Sequence, residues 1–138
     1  MADCVFCKII RGELPSHTVY EDGHFKGILD IGPWAMGHVI LIAKEHAETV
    51  LELSEETARQ AFPAAKKVAA ALRAAFDCEG VNILQNNGEA AGQSVGHFHI
   101  HIIPRNIGDG IVMNWPHIKH DDDRFAAVAG KIRNNINE

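Results

Sequence analysis

One seven-residue stretch constrains this chain more than any other: His97-Phe98-His99-Ile100-His101-Ile102-Ile103, three histidines alternating with apolar residues. A period of two is the pattern of a β-strand, whose successive side chains point to opposite faces. As a strand it sets His97, His99 and His101 on one side and Phe98, Ile100 and Ile102 on the other. The apolar alternates require a core, so the strand is half-buried and the imidazoles face a cleft or a polar site. One metal ion held by all three is geometrically poor. At a rise of about 3.3 Å per residue the outer two Cα atoms lie roughly 13 Å apart, whereas zinc–nitrogen bonds are about 2 Å. Divided roles follow, with an outer histidine for structure or metal and the middle one for chemistry. The preceding loop, residues 88–96, brings glycine backbone N–H groups and the donors of Gln93 and Ser94 beside the trio, which suggests a seat for phosphate.

The rest of the pattern supplies a frame. Residues 4–11 form a short apolar segment ended by Gly12 and Pro15. Strands are expected over 18–21 and 25–31, joined by an Asp22-Gly23 hairpin turn, and over 38–43 and 81–85. Ser54 is a good N-cap with Glu55 and Glu56 behind it. From there Phe62, Ala65, Ala69, Leu72 and Phe76 mark one face of a long helix, with Pro63 as a possible kink and Gly80 as the stop. Pro104 is expected to end the histidine strand. Phe125, Val128 and Ile132 give residues 121–135 a helical period. Hairpin strands mixed with one long helix argue for an α+β fold in a single domain, residues 1–138.

Composition excludes several classes. At 46% apolar and 22% charged residues, the chain has the balance of a soluble globular domain. A net charge of −5, with no basic stripe, argues against binding extended nucleic acid. No apolar run approaches the roughly 20 residues of a membrane span, and Met1-Ala2-Asp3 leads into no signal peptide, so a cytoplasmic protein is expected. Cys4-x-x-Cys7 then reads as a metal-binding or redox pair. Cys78 is expected to be a buried thiol, and His17, His24, His117 and His120 surface residues.

The histidine stretch matches the His-φ-His-φ-His-φ-φ signature (φ apolar) of the histidine triad nucleotide-binding superfamily, and the resemblance extends further. Phe6 to Pro15, Asp30-Ile31-x-Pro33-x-x-x-Gly37-His38-Val39, and Asn86 with Gly92-Gln93-Ser94-Val95 are similar to that family's other motifs. The resemblance covers a core of about residues 4–104; the remainder, about 105–138, is similar to the extension of bacterial-type members. It implies a five-stranded antiparallel sheet with one long helix and short N- and C-terminal helices. It implies that His99 is a nucleophile forming a covalent nucleotidyl-histidine, flanked by His101, His38 and His97, with Ser94 near the leaving group. Asp30 would bind ribose hydroxyls, and Asn86, Gln93 and Gly92 would lie on the phosphate side. Phe6, Ile9, Leu14, Ile28 and Ile31 would wall the base. It further implies a structural zinc on Cys4, Cys7, His46 and His97, with no catalytic metal required, and a homodimer whose strands join in one sheet. Ser94 and Asn86 resemble the nucleoside phosphoramidase branch more than the dinucleoside polyphosphate branch. The activity so implied is hydrolysis or transfer at the α-phosphate of adenosine or related nucleotide derivatives. A nucleotide-binding regulatory or scaffold protein with little turnover, and a metal-dependent hydrolase using His97 and His99 as ligands, are the alternatives.

Overall fold

The computed structural model describes residues 3–136, so the reading of Met1 and Ala2 as free of a leader lies outside the described residues. In chain order the elements are α1 (Val5–Ile10), β1 (Thr18–Glu21), β2 (Phe25–Leu29), β3 (Val39–Ala43), α2 (Glu55–Phe76), β4 (Gly80–Leu84), a 3-10 turn (Glu89–Ala91), β5 (His99–Arg105) and α3 (Asp122–Arg133). The strands form one antiparallel sheet in the order β1-β2-β3-β5-β4, the expected α+β fold. Among the described residues no helix is long and apolar enough to cross a membrane.

β3 and β5 are central, and that position explains their composition. Val39, Leu41 and Ala43 of β3 face α2 together with Phe98, Ile100, Ile102 and Phe25. Ile40 and Ile42 point the other way and pack with Ile28, Phe6 and Ile9. A strand buried on both faces reads as a continuous apolar run, as residues 39–43 do. The long helix starts where expected: the Ser54 hydroxyl accepts from Thr57 N–H at 3.2 Å and donates to Glu45 Oε1 at 2.6 Å. It passes through Pro63 as one element.

Three local expectations are corrected. The buried face of α2 is Thr57, Ala61, Ala64, Ala65, Val68 and Leu72, while Phe62 and Phe76 are 71% and 51% exposed. Alanines let the helix lie close to the sheet, and the bulky phenylalanines are left outside. The helix stops at Asp77, in the left-handed region at φ 50, and Gly80 instead opens β4. Pro104 lies inside β5, opposite Val81. Phe98 C=O accepts from Ala43 N–H, so even-numbered residues of β5 turn their backbone polar groups toward β3. Pairing with β3 ends at Val39↔Ile102, so the N–H that Pro104 lacks has no partner to miss.

α3 is set by its ends: the Asp121 carboxylate caps Arg124 N–H at 2.8 Å, Asp122 and Asp123 fill the first turn, and Lys131 and Arg133 the last. No residue of α3 is buried, and Phe125, Val128 and Ile132 stand on an open face.

Candidate active site

The register Ile40↔His101 and Ile42↔His99 fixes the histidine side chains on the sheet face opposite α2. His97 precedes the strand proper. The chain there still runs beside the end of β3, because Phe98 N–H donates to Ala47 O at 2.7 Å and Phe98 O accepts from Ala43 N–H. Each histidine's tautomer follows from its neighbours, since a carbonyl only accepts and a backbone N–H only donates.

His97 is fully buried, and its Nε2–H donates to Ala43 O at 2.6 Å. That leaves Nδ1 bare, 3.3 Å from Cys4 Sγ, 3.6 Å from Cys7 Sγ and 3.1 Å from His46 Nδ1. His46 Nδ1 is in turn 3.2 Å from Cys7 Sγ. The ligand atoms of the four residues lie within 4.8 Å of one another. A tetrahedral zinc ion has ligand–ligand edges of about 3.3–3.8 Å, so the donor set and its spacing fit such an ion. Burial, and then the Cys4 sulfur beside it, pushes the Cys7 thiol above its ordinary value; a cation between the sulfurs would reverse that. The expected set Cys4, Cys7, His46 and His97 is therefore brought together as a possible metal site.

Of the other three histidines, His38 and His101 form a directed chain and His99 stands beside it. Trp34 N–H donates to His38 Nδ1 at 3.1 Å, so in neutral His38 the proton is on Nε2. His38 Nε2–H faces His101 Nδ1 at 2.9 Å, which leaves the His101 proton on its own Nε2. His99 Nδ1–H donates to the carbonyl of His97 at 2.7 Å, leaving His99 Nε2 bare. Asp30, His38 and His101 also cluster, but the proton between the two rings makes this trio a hydrogen-bonded relay, not a ligand set. The rings are held neutral. Burial lowers His38, with Asp30 partly opposing. It lowers His99, with the bond to His97 O opposing. Burial, then the neighbouring His99 and His38, pushes His101 down to about 4.

His38 and His101, but not the buried His99, border a cavity of about 250 Å³ whose polar lining is Asp30, His38, Asn86, Ser94 and His101, with Gly92 and Trp34 at its walls. A wider hollow of about 780 Å³ along Arg105 and its following loop is chemically spent, because Arg105 is already paired with Asp109 at 2.7 Å. Asp30 divides its carboxylate: Oδ1 accepts from Gly32 N–H at 2.8 Å, and Oδ2 lies 3.5 Å from His38 Nε2. The amide of Gln93 is occupied in the loop, with Gly88 N–H, Glu48 O and Val95 O. Phe6, Ile9 and Ile28 cluster beside the histidines, and the ring of Phe6 stands edge-on to His99 at 5.0 Å and His97 at 5.8 Å. Leu14, 38% exposed, and Ile31, 95% exposed, stand open to solvent and wall nothing among the described residues. Trp34 was legible only as a loop aromatic. Its functional group here is a backbone N–H, and the one sequence signal is its place four residues before His38.

The model of the family described as HIT domain matches residues 11–107. The Bacillus subtilis protein called "Protein hit" is 50% identical over 122 residues, 88% of this chain and 83% of the relative. An adenosine 5'-monophosphoramidase of Schizosaccharomyces pombe is 38% identical over 96% of this chain and 98% of its own. Among solved structures, a HIT family member from Bacillus subtilis superposes with a TM-score of 0.92 at 42% identity, covering 99% of both chains. A Zn-bound histidine triad family protein from Mycobacterium smegmatis superposes with a TM-score of 0.77 at 34% identity, covering 97% of this chain and 99% of the other.

Proposed function

The chain belongs to the HIT domain family, and on that footing we propose that it hydrolyses adenosine 5'-phosphoramidates or closely related nucleotide derivatives through a covalent intermediate on His99. One observation carries the reading: a bare His99 Nε2 beside a His101 ring whose own Nε2–H is free to donate. A neutral imidazole nitrogen is a competent nucleophile, and an N–H donor next to it stabilises charge gathering on phosphate oxygens. His99 Nε2 attacks the α-phosphorus, a P–N or P–O bond to the leaving group breaks, and water then displaces His99. His38 holds the proton of the relay on His101. Ser94, Asn86 and Asp30 line the cavity beside His101, Ser94 for the leaving group, Asn86 for phosphate and Asp30 for ribose. Phe6, Ile9 and Ile28 form the base wall. The amidase branch is favoured over dinucleoside polyphosphates by Ser94 and Asn86, and by relatives named adenosine 5'-monophosphoramidases.

Zinc on Cys4, Cys7, His46 and His97 would be a closed structural cross-link supplying no open coordination position. His97 is then a positioning residue, since both ring nitrogens are engaged and its carbonyl aims His99. β4, at the sheet edge, is the strand that would meet its counterpart in a dimer.

The test is a quench of an adenosine 5'-phosphoramidate reaction followed by mass spectrometry of the His99 peptide. Adenylylated His99 is expected. His99→Ala should lose turnover by about 10³-fold or more while binding AMP as before. Equal turnover in the variant defeats the assignment, and tight AMP binding with no turnover on any phosphoramidate favours a binding protein instead.

A further inference from the structure

Cys4 and Cys7 are tied to the nucleophile by two separate routes. Both sulfurs converge on His97 Nδ1, and the carbonyl of that same residue orients His99. Between the cysteines, Phe6 lays its ring against His99 and His97. α1 has six residues, far fewer than the ~12–15 a helix needs to hold itself, so its place depends on what its side chains grip. The grip also rests on two free thiols, which are readily oxidised. Cys4 is partly exposed and Cys7 buried behind it. Positions three apart at a helix start have Cα atoms about 5 Å apart, inside the span a disulfide bridges. Cys7 N–H already points at Cys4 Sγ, 3.4 Å away. Cys78 is buried and takes no part in the cluster.

We infer that Cys4 and Cys7 are an oxidation site, closing to a disulfide under hydroperoxides and thereby unclasping α1 from His97 and His99. The inference deepens the nucleotide-site reading and rests on it for its effect on AMP. The Cys4 thiolate attacks the O–O bond of the peroxide, releasing an alcohol and leaving a sulfenic acid. The Cys7 thiolate displaces hydroxide from that sulfur. In sum, two thiolates, one hydroperoxide and two protons give one disulfide, one alcohol and one water, with two electrons passing from sulfur to oxygen. Sulfurs bonded to each other no longer hold an ion, so any metal on the four ligands leaves. His97 Nδ1 then loses its partners, and Phe6 its anchor on both sides.

The experiment uses full-length, zinc-loaded protein carrying Cys78→Ala, treated with stoichiometric hydrogen peroxide. Peptide mapping should find one Cys4–Cys7 disulfide per chain, a chromogenic chelator should capture one zinc per disulfide, and AMP affinity by calorimetry should fall about tenfold or more. Dithiothreitol with added zinc should restore it. Cys4→Ser should make AMP affinity indifferent to peroxide; the Cys78→Ala measurements stand without it if that variant does not fold. Oxidation to sulfinic acid in place of a disulfide, or a disulfide with AMP affinity unchanged, overturns the proposal. If reduced, zinc-loaded protein binds no AMP, the nucleotide reading fails. The clasp is then judged by the ¹⁵N signals of the His99 ring, and no change in them on oxidation overturns it.

Discussion

His101 stands at the end of a proton chain that begins at a backbone N–H, and burial beside His99 and His38 gives it a share in the pH dependence of stability. Its folded pKa of about 4 lies below the unfolded histidine value of about 6.5. As pH falls, the unfolded chain takes up this proton first, so the stability this group contributes is intact above about 6.5 and lost as pH drops toward 4. The slope is at most about 1.4 kcal/mol per pH unit for one group. His101→Gln removes the titration. Urea denaturation at pH 7.5 and pH 5 should therefore show a smaller acid-induced loss in the variant than in the native protein; equal losses would mean that His101 does not carry this share. The trio and the Cys4/Cys7 pair stand out in the sequence because imidazoles and thiols announce their chemistry by type and spacing, whereas His46 enters only through the family resemblance. Trp34 N–H and Ala43 C=O, which choose the tautomers of His38 and His97, were not legible, because every residue but proline carries the same two groups.

Elements were legible where burial and period agree, and misread where size misleads. The sheet strands were found within two residues at nearly every end. The face of α2 was not, because Phe62 and Phe76 dominate its apolar pattern by size, while it is the alanines that permit close approach to β3 and β5. Phe76 serves elsewhere, with its ring lying over the turn that leads into β3. Gly37, at φ 100, occupies that turn, and a Cβ there would come within 2.7 Å of Phe76 Cε2. Because Gly37 directly precedes His38, strain at this turn is transmitted to the relay. Gly37→Ala should cost about 1–3 kcal/mol by chemical denaturation, from positive φ and overpacking together. It should also weaken AMP binding, whereas Gly23→Ala, with open space around it, should leave binding unchanged. A Gly37→Ala protein as stable and as competent as the native one would remove the turn from any role in placing His38.

At the scale of the molecule, what the chain leaves uncovered is as informative as what it buries. The sheet ends at β4, whose outer edge has no strand beside it among the described residues, and Ile83 in its middle is 39% exposed. Unpaired edges with apolar side chains invite another strand. α3 offers a second uncovered surface through Phe125, Val128 and Ile132, so both ends of the chain's C-terminal half present apolar groups to their surroundings. The sequence showed the period of α3 but not its isolation, since helical spacing says which residues share a face and nothing about what meets it. If two β4 edges pair into one continuous sheet, a charge placed on that edge should separate them. Ile83→Lys puts an ammonium where the strands would meet, at a side chain exposed enough to accept it without disturbing the core. Light scattering on eluting protein should give a dimer mass for the native chain and a monomer mass for the variant, at matched concentration and with far-ultraviolet circular dichroism unchanged. A native monomer would refute association altogether. A variant that stays dimeric would move the contact from β4 to another surface, and the other sheet edge at β1 and the open face of α3 are the ones left for it.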